Sequence, residues 1–299
     1  MTAIKEFTSN NINIFVIKTV HTESPYQMEF DPKEYYTDEH VIQLKQQIDA
    51  NFSLPYTFWL VTNQTTIAMP GINIIDVSHE DLWGWWNKML LFREDISGDG
   101  LNLYFDLDTV IQNNFDSIID YAVLDKLTML YCYWKPIDWE SQAFKVSDFD
   151  PDFEFATLIN SSIMLWHGKR MHYITELFME DPEAFVFKFR GNDEYLNKFH
   201  RDIINTLPRF WAYSYFFGAE EGSEFFPKDK ASFHYRHGYF FRLLNGQGKK
   251  YNDLHRENRR LAAGEPPDPH NPIHDIIRQE KETVVKIERE HVIRSIEYY

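Results

Sequence analysis

Two aspartates, Asp106 and Asp108, stand two residues apart directly after the mostly apolar, strand-forming run Leu101-Asn102-Leu103-Tyr104-Phe105. Both carboxylates are therefore expected at or just past the carboxyl end of a buried strand, where open α/β sheets bind ligands. Two like charges this close are costly to bury unless a cation or strong donors compensate them. Hard divalent cations such as Mn²⁺ or Mg²⁺ take oxygen ligands of this kind, so the pair asks for a metal held by Asp106 and Asp108. A metal at a strand end is suited in turn to holding phosphates. A surface turn is the plainer alternative for an Asp-x-Asp, and the apolar lead-in argues against it.

The flanking segments read as the scaffold for such a site. Ile12 to Val20 and Phe58 to Thr62 are β-branched and apolar enough for buried strands, and Ile72 to Val77 follows the turn signal Pro70-Gly71. Between the first two, Glu39 to Asn51 carries Val41, Ile42, Leu44 and Ile48 at helical spacing. Leu82 to Phe92 reads as a helix, and Gly98-Asp99-Gly100 breaks the chain before the Asp106 strand. Further helix is expected over Asp116 to Leu127, Met171 to Glu180 and Asp193 to Ile204. Leu158 to Trp166 reads as a strand interrupted by the polar Asn160, Ser161 and Ser162. Repeated strand, helix, strand order predicts an α/β fold with a mostly parallel central sheet flanked by helices. Beyond Lys249 come a basic run (Arg256, Arg259, Arg260), a proline-rich turn and a charged segment with an apolar stripe at Ile277, Val284, Val285, Val292 and Ile296. This predicts a domain over residues 1–250 and a C-terminal helical extension over 251–299.

Composition narrows the function classes. The 299 residues, 43% of them apolar, allow a sizeable core, and 30 basic against 46 acidic residues give a formal charge of −16. A nucleic acid backbone would be repelled, so no nucleic acid partner is expected. No run of about 18 apolar residues is available for a membrane span, and the start of the chain is unlike a signal peptide, so a cytoplasmic protein is expected. The single cysteine, Cys132, excludes an internal disulfide or a multi-cysteine zinc site and reads as a packing residue.

Two resemblances compete for Asp106-Leu107-Asp108-Thr109. It is similar to the strand-end Asp-x-Asp-x-Thr of haloacid-dehalogenase-type phosphotransferases. That resemblance implies Asp106 as nucleophile, Asp108 as acid/base, Ser161 as the strand-end hydroxyl, and Lys169 or Lys188 as the phosphate-binding cation. That motif, however, normally opens its fold near the N-terminus, whereas three strand candidates precede it here. The neighbouring segments point elsewhere. Trp83-Gly84-Trp85-Trp86-Asn87-Lys88-Met89-Leu90-Leu91-Phe92, followed by the Asp106 strand, resembles phage and bacterial glycosyltransferases of the GT-A type, allied to glycosyltransferase family 8. Ile159-Asn160-Ser161-Ser162-Ile163-Met164 resembles the family's Asn-Ser-Gly-Val-Met segment. Gly191-Asn192-Asp193-Glu194 resembles its Gly-Asp-Gln segment, with Glu194 in place of glutamine. The match runs in order from about Ile12 to Lys250.

The resemblance implies a GT-A-like, Rossmann-like fold and a metal-dependent hexosyltransferase acting on a nucleotide-sugar, with UDP-hexose and Mn²⁺ (or Mg²⁺) as defaults and an unknown acceptor. If the chain is phage-encoded, its place is the host cytoplasm. Asp193 and Asn160 are the implied catalytic-centre residues, bonding the transferred sugar. Thr19, Thr62, Lys88, Asp106, Ser161 and Lys249 are the implied nucleotide-sugar contacts. The third metal ligand, a histidine in the family's late His-Gly-x-Pro-Lys segment, aligns with Asn245, a weaker oxygen ligand, and His255 lies ten residues on. A protein that binds nucleotide-sugar without turnover would follow if that change disables the metal. On their own terms Lys88 reads equally as a solvated helix lysine and Asp193 as a helix N-cap. Asn160 and Ser161 inside an apolar strand need partners wherever they lie.

Overall fold

The computed structural model describes residues 11–20, 36–64, 69–132, 159–189, 191–208, 211–214 and 240–243. Its centre is a seven-stranded sheet made of β1 (Ile12–Lys18), β2 (Thr57–Thr62), β3 (Asn73–Asp76), β4 (Leu101–Phe105), β6 (Leu127–Tyr131), β7 (Ile159–His167) and β8 (Ile204–Leu207). They lie in the order β3-β2-β1-β4-β7-β6-β8. The β1–β2, β2–β3, β1–β4 and β6–β8 pairs are parallel, while β7 is antiparallel to both its neighbours. Six strands thus run one way and β7 runs against them. A second sheet follows immediately after Asp108, where β5 (Thr109–Ile111) pairs antiparallel with β10 (Phe241–Leu243), which pairs parallel with β9 (Ala212–Ser214).

The strands are apolar on both faces because both faces are covered. On one side Ile14, Val16, Leu103, Phe105, Ile163 and Leu165 pack with Val41, Leu44 and Ile48 of helix α1 (Asp38–Asn51) and with Phe115 and Phe241. On the other, Phe15, Tyr104, Met164 and Trp166 pack with Trp86, Met89 and Phe92 of the 3₁₀ helix Gly84–Phe92, and with helix α2 (His172–Met179) through Ile174 and Phe178. The alternation of neighbours along β4 and β7 is the two-residue period of a strand. Ile42, expected on the apolar stripe of α1, is 40% exposed.

Three elements depart from expectation. The segment Leu82 to Phe92 forms a 3₁₀ helix, with everything from Trp86 to Phe92 buried. The helix expected over Asp116 to Leu127 stops at Tyr121, because the chain turns at Asp125, whose φ is 63°, and Leu127 opens β6. The helix expected over Asp193 to Ile204 is α4 (Asn192–Phe199), followed by a short 3₁₀ turn, and Ile204 already belongs to β8. Helix α3 (Pro182–Lys188), not foreseen, precedes it, started by Asp181, whose side chain accepts the Ala184 amide. Cys132 is buried, as its setting suggested. Among the described residues no helix is long and apolar enough to cross a membrane. The extension expected over 251–299 lies outside the described residues.

Candidate functional site at the carboxyl edge of the sheet

Because β4 runs with β1 and β2, Asp106 follows its last residue at the same edge where Lys18-Thr19 leaves β1 and Thr62 ends β2. β7 runs the other way, so its first residues, Asn160 and Ser161, come to that edge as well. Phe105 pairs with Ile163, and the Asp106 amide donates to the Ser162 carbonyl at 2.8 Å. A strand that reads as polar at its start is thereby placed beside a strand that reads as acidic at its end.

Lys88 joins them. Its side chain, 8% exposed, comes from the buried 3₁₀ helix and reaches Asp106 at 2.7 Å to Oδ1 and 3.0 Å to Oδ2. It also donates to Ser161 Oγ at 3.2 Å and lies 5.3 Å from the Tyr104 ring centre. The solvated-lysine reading therefore fails: Lys88 is a desolvated cation held by a carboxylate and a hydroxyl. Ser161 Oγ donates onward to Asn192 Oδ1 at 3.3 Å. The N-cap reading of Asp193 fails too, because Gly191 occupies that position. The Asp193 carboxylate turns to β7, accepting the Ser161 amide at 2.9 Å and the Asn160 amide group at 3.4 Å. Lys88, Asp106, Asn160, Ser161 and Asp193, drawn from four segments, form one hydrogen-bonded cluster.

Tyr104 is a member that sequence reasoning missed. Its hydroxyl donates to Asp106 Oδ1 at 2.5 Å. Burial, reinforced by the Asp106 and Asp108 carboxylates, holds the phenol well above its ordinary pKa, so it stays a neutral donor. The signal was available, since residues two apart on a strand share a face and Tyr104 stands two before Asp106. Asn192 was likewise quoted in a motif without a role.

Thr19 accepts from the Asn87 side-chain amide at 3.3 Å, which ties the end of β1 to the residue before Lys88. Thr62 is fully buried at the end of β2, and its hydroxyl accepts the Gln64 amide in a local turn. Asn245, Lys249 and His255 lie outside the described residues. Lys169 follows the far end of β7, where His167 pairs with Leu101 at the start of β4. That is a strand length away from Asp106, roughly 15 Å at the usual rise per residue. Lys188 is exposed at the end of α3. Neither lysine named in the phosphotransferase reading meets Asp106.

The donor set can be tested against a divalent cation. Asp108 is 3% exposed and Asp106 lies two residues away, with a side chain 21% exposed. Two carboxylates supply hard oxygen donors of the right chemistry, with Lys88 already balancing one of them. Among the described residues no three His, Cys, Asp or Glu side chains gather closely enough to hold a metal. The two carboxylates have the chemistry of hard-cation ligands.

The mostly parallel seven-stranded sheet with helices on both faces is a GT-A-like fold, an architecture it shares with a solved structure. Among solved structures, the active-site mutant of LgtC is similar to this chain, with a TM-score of 0.50 and 14% identity over 77% of this chain and 86% of that one. The galactosyltransferase LgtC in complex with donor and acceptor sugar analogs matches with a TM-score of 0.49 and 12% identity, over 86% and 98% of the two chains. The glycosyltransferase GlyE of Streptococcus pneumoniae TIGR4 matches with a TM-score of 0.44 and 13% identity. That match covers 69% of this chain and 49% of GlyE, so the chain spans about half of GlyE's length. No family model matches the chain, and neither does any curated protein.

Proposed function

We propose that the chain is a metal-dependent glycosyltransferase moving a hexose from a nucleoside-diphosphate sugar, UDP-hexose by default, to an acceptor. The observation that carries the reading is the convergence of Lys88, Asp106, Asn160, Ser161 and Asp193 at one sheet edge. They come from four separate stretches of sequence, each named for the same chemistry.

In this reading Asp108 and Asp106 hold Mn²⁺ or Mg²⁺, and the ion supplies neutralisation of the charge that develops on a diphosphate leaving group. Asp106 would keep free lone pairs for the ion or the ribose, because Tyr104 and Lys88 fix the carboxylate in one orientation. Lys88 adds positive charge beside the phosphates. Asn160, Ser161 and Asp193 bind the hexose hydroxyls and orient its anomeric carbon. Lys249, with Thr19 and Thr62 at the strand ends, completes the nucleotide-sugar contacts.

Asn245, outside the described residues, stays the third ligand that the resemblance implies. β10 ends with Leu243 paired to Thr109, the residue after Asp108. The reading does not require the protein to be exported or to cross a membrane, and a cytoplasmic site of action is part of the proposal.

The test is a thermal-shift series of nucleotide-sugars with and without Mn²⁺, in the wild type and Asp108→Ala. UDP-sugars should raise the melting temperature only with Mn²⁺, and Asp108→Ala should abolish that rise. A full shift in the mutant would sink the metal assignment. A covalent aspartyl adduct with beryllofluoride would instead favour phosphotransfer.

A further inference from the structure

The indole of Trp85 is 41% exposed, although the rest of its helix from Trp86 to Phe92 is buried. A single exposed aromatic ring is ordinary on a protein surface. The position of this one is not arbitrary. Residues three apart in a 3₁₀ helix are one turn apart, so the backbone of Trp85 lies about 6 Å along the axis from that of Lys88. Lys88 reaches inward to Asp106 and Ser161.

A second contact places the ring independently. A Cβ built on Gly191 would lie 3.4 Å from Trp85 Nε1, so the indole rests against the residue that caps α4. Two residues on, Asp193 binds the Ser161 amide. Trp85 therefore lies against Gly191, two residues from Asp193, and one helical turn from Lys88. The ring is also held in place, since Trp83, itself buried, packs edge-on against it with centroids 4.6 Å apart.

We propose that Trp85 is a stacking platform for a neutral pyranose of the acceptor, which makes the acceptor a carbohydrate. The claim rests on the glycosyl-transfer reading above and names its second substrate class. The negative face of an indole attracts the electropositive C–H face of a sugar ring, and an anchored ring gives that contact at little entropic cost. A formal charge of −16 disfavours a polyanionic acceptor, leaving a neutral glycan as the fitting partner. The transferred hexose occupies the deeper position beside Asn160 and Asp193, so the outer ring meets the incoming sugar.

The test uses saturation-transfer NMR with methyl pyranosides and neutral disaccharides as probes, on the full chain with UDP and Mn²⁺. Wild type, Trp85→Leu and Trp85→Phe are compared, and each is also melted with UDP-sugar. Wild type should bind at least one probe through its ring C–H protons. Trp85→Leu should weaken that binding about tenfold, equivalent to about 1.4 kcal/mol. Trp85→Phe should recover most of it, with melting temperatures unchanged. A probe bound equally by wild type and Trp85→Leu overturns the platform. Binding of a peptide but no saccharide does the same. Loss of the UDP-sugar shift in wild type would instead strike the donor reading, and saccharide binding would still decide the role of Trp85.

Discussion

Replacing Lys88 by Met should lower stability more than any single change at the protein's surface. The ammonium is 8% exposed and lies 2.7 Å from an Asp106 side chain that is itself only 21% exposed. Removing one partner of a buried pair costs about 3–5 kcal/mol, because the other charge is left uncompensated. Asp106 keeps the Tyr104 hydroxyl at 2.5 Å and some solvent, which places the cost near the lower end, about 3 kcal/mol. At about 2–4 °C per kcal/mol for a domain of this size, the melting temperature should fall by roughly 6–12 °C. The double variant Lys88→Met/Asp106→Asn should recover much of that loss, since neither charge remains, and the difference between the two measures the coupling. Mn²⁺ should also stabilise Lys88→Met, by about 2.7 kcal/mol at about 100 times its Kd, as a cation returns beside the orphaned carboxylate. Calorimetric melts of the three proteins with and without Mn²⁺ read all of this. A Lys88→Met protein that melts within a degree of wild type would show that the pair is not desolvated, and the electrostatic account of the edge would fall.

Two further outcomes test the scaffold. His200 is 5% exposed, and burial lowers its imidazole to about 4 despite the opposing pull of Asp202. Below pH 6.5 the unfolded chain takes up a proton that the folded protein refuses, so stability should fall as the pH drops from 6.5 to about 4 and fall no further on this account. The loss is on the order of 3 kcal/mol. Urea melts across that range should be flatter for His200→Leu, and equal slopes would refute the assignment. Gly100 has φ 99°, and a Cβ there would sit 2.2 Å from the Asn11 carbonyl oxygen, so Gly100→Ala should cost at least about 2 kcal/mol. Gly84, at φ 52° with nothing within 4 Å of its Cβ position, should tolerate alanine at about 1 kcal/mol. Equal melting temperatures for the two variants would contradict the close approach at Gly100.

Much of the site was readable because its residues violate the pattern of their own segments. Asn160 and Ser161 are polar within an apolar run, Lys88 is charged within the buried stretch Trp86 to Phe92, and Asp106 ends a run of five buried residues. Such exceptions need partners, and here they are one another's partners. The strands β1, β2 and β4 were legible for a related reason, their apolar residues being continuous where both faces are covered. What local pattern could not supply was direction. Nothing in Ile159 to His167 states that it runs against β4, because that depends on where the chain re-enters the sheet. Nor could periodicity separate a 3₁₀ helix from an α-helix over nine residues, six of them apolar. β6 and β8 were not foreseen: the expected helices ran into their first residues, Leu127 and Ile204, and no strand was expected beyond them.

The reversed course of β7 has a consequence for the edge that carries the site. β6 runs with β4 and finishes at Tyr131, while β7 begins at Ile159, so both tethers of the intervening connection stand on the Asp106 side of the sheet. The direction of that one strand thus brings two chain ends, rather than one, to the edge that holds the lysine, the aspartates and the serine.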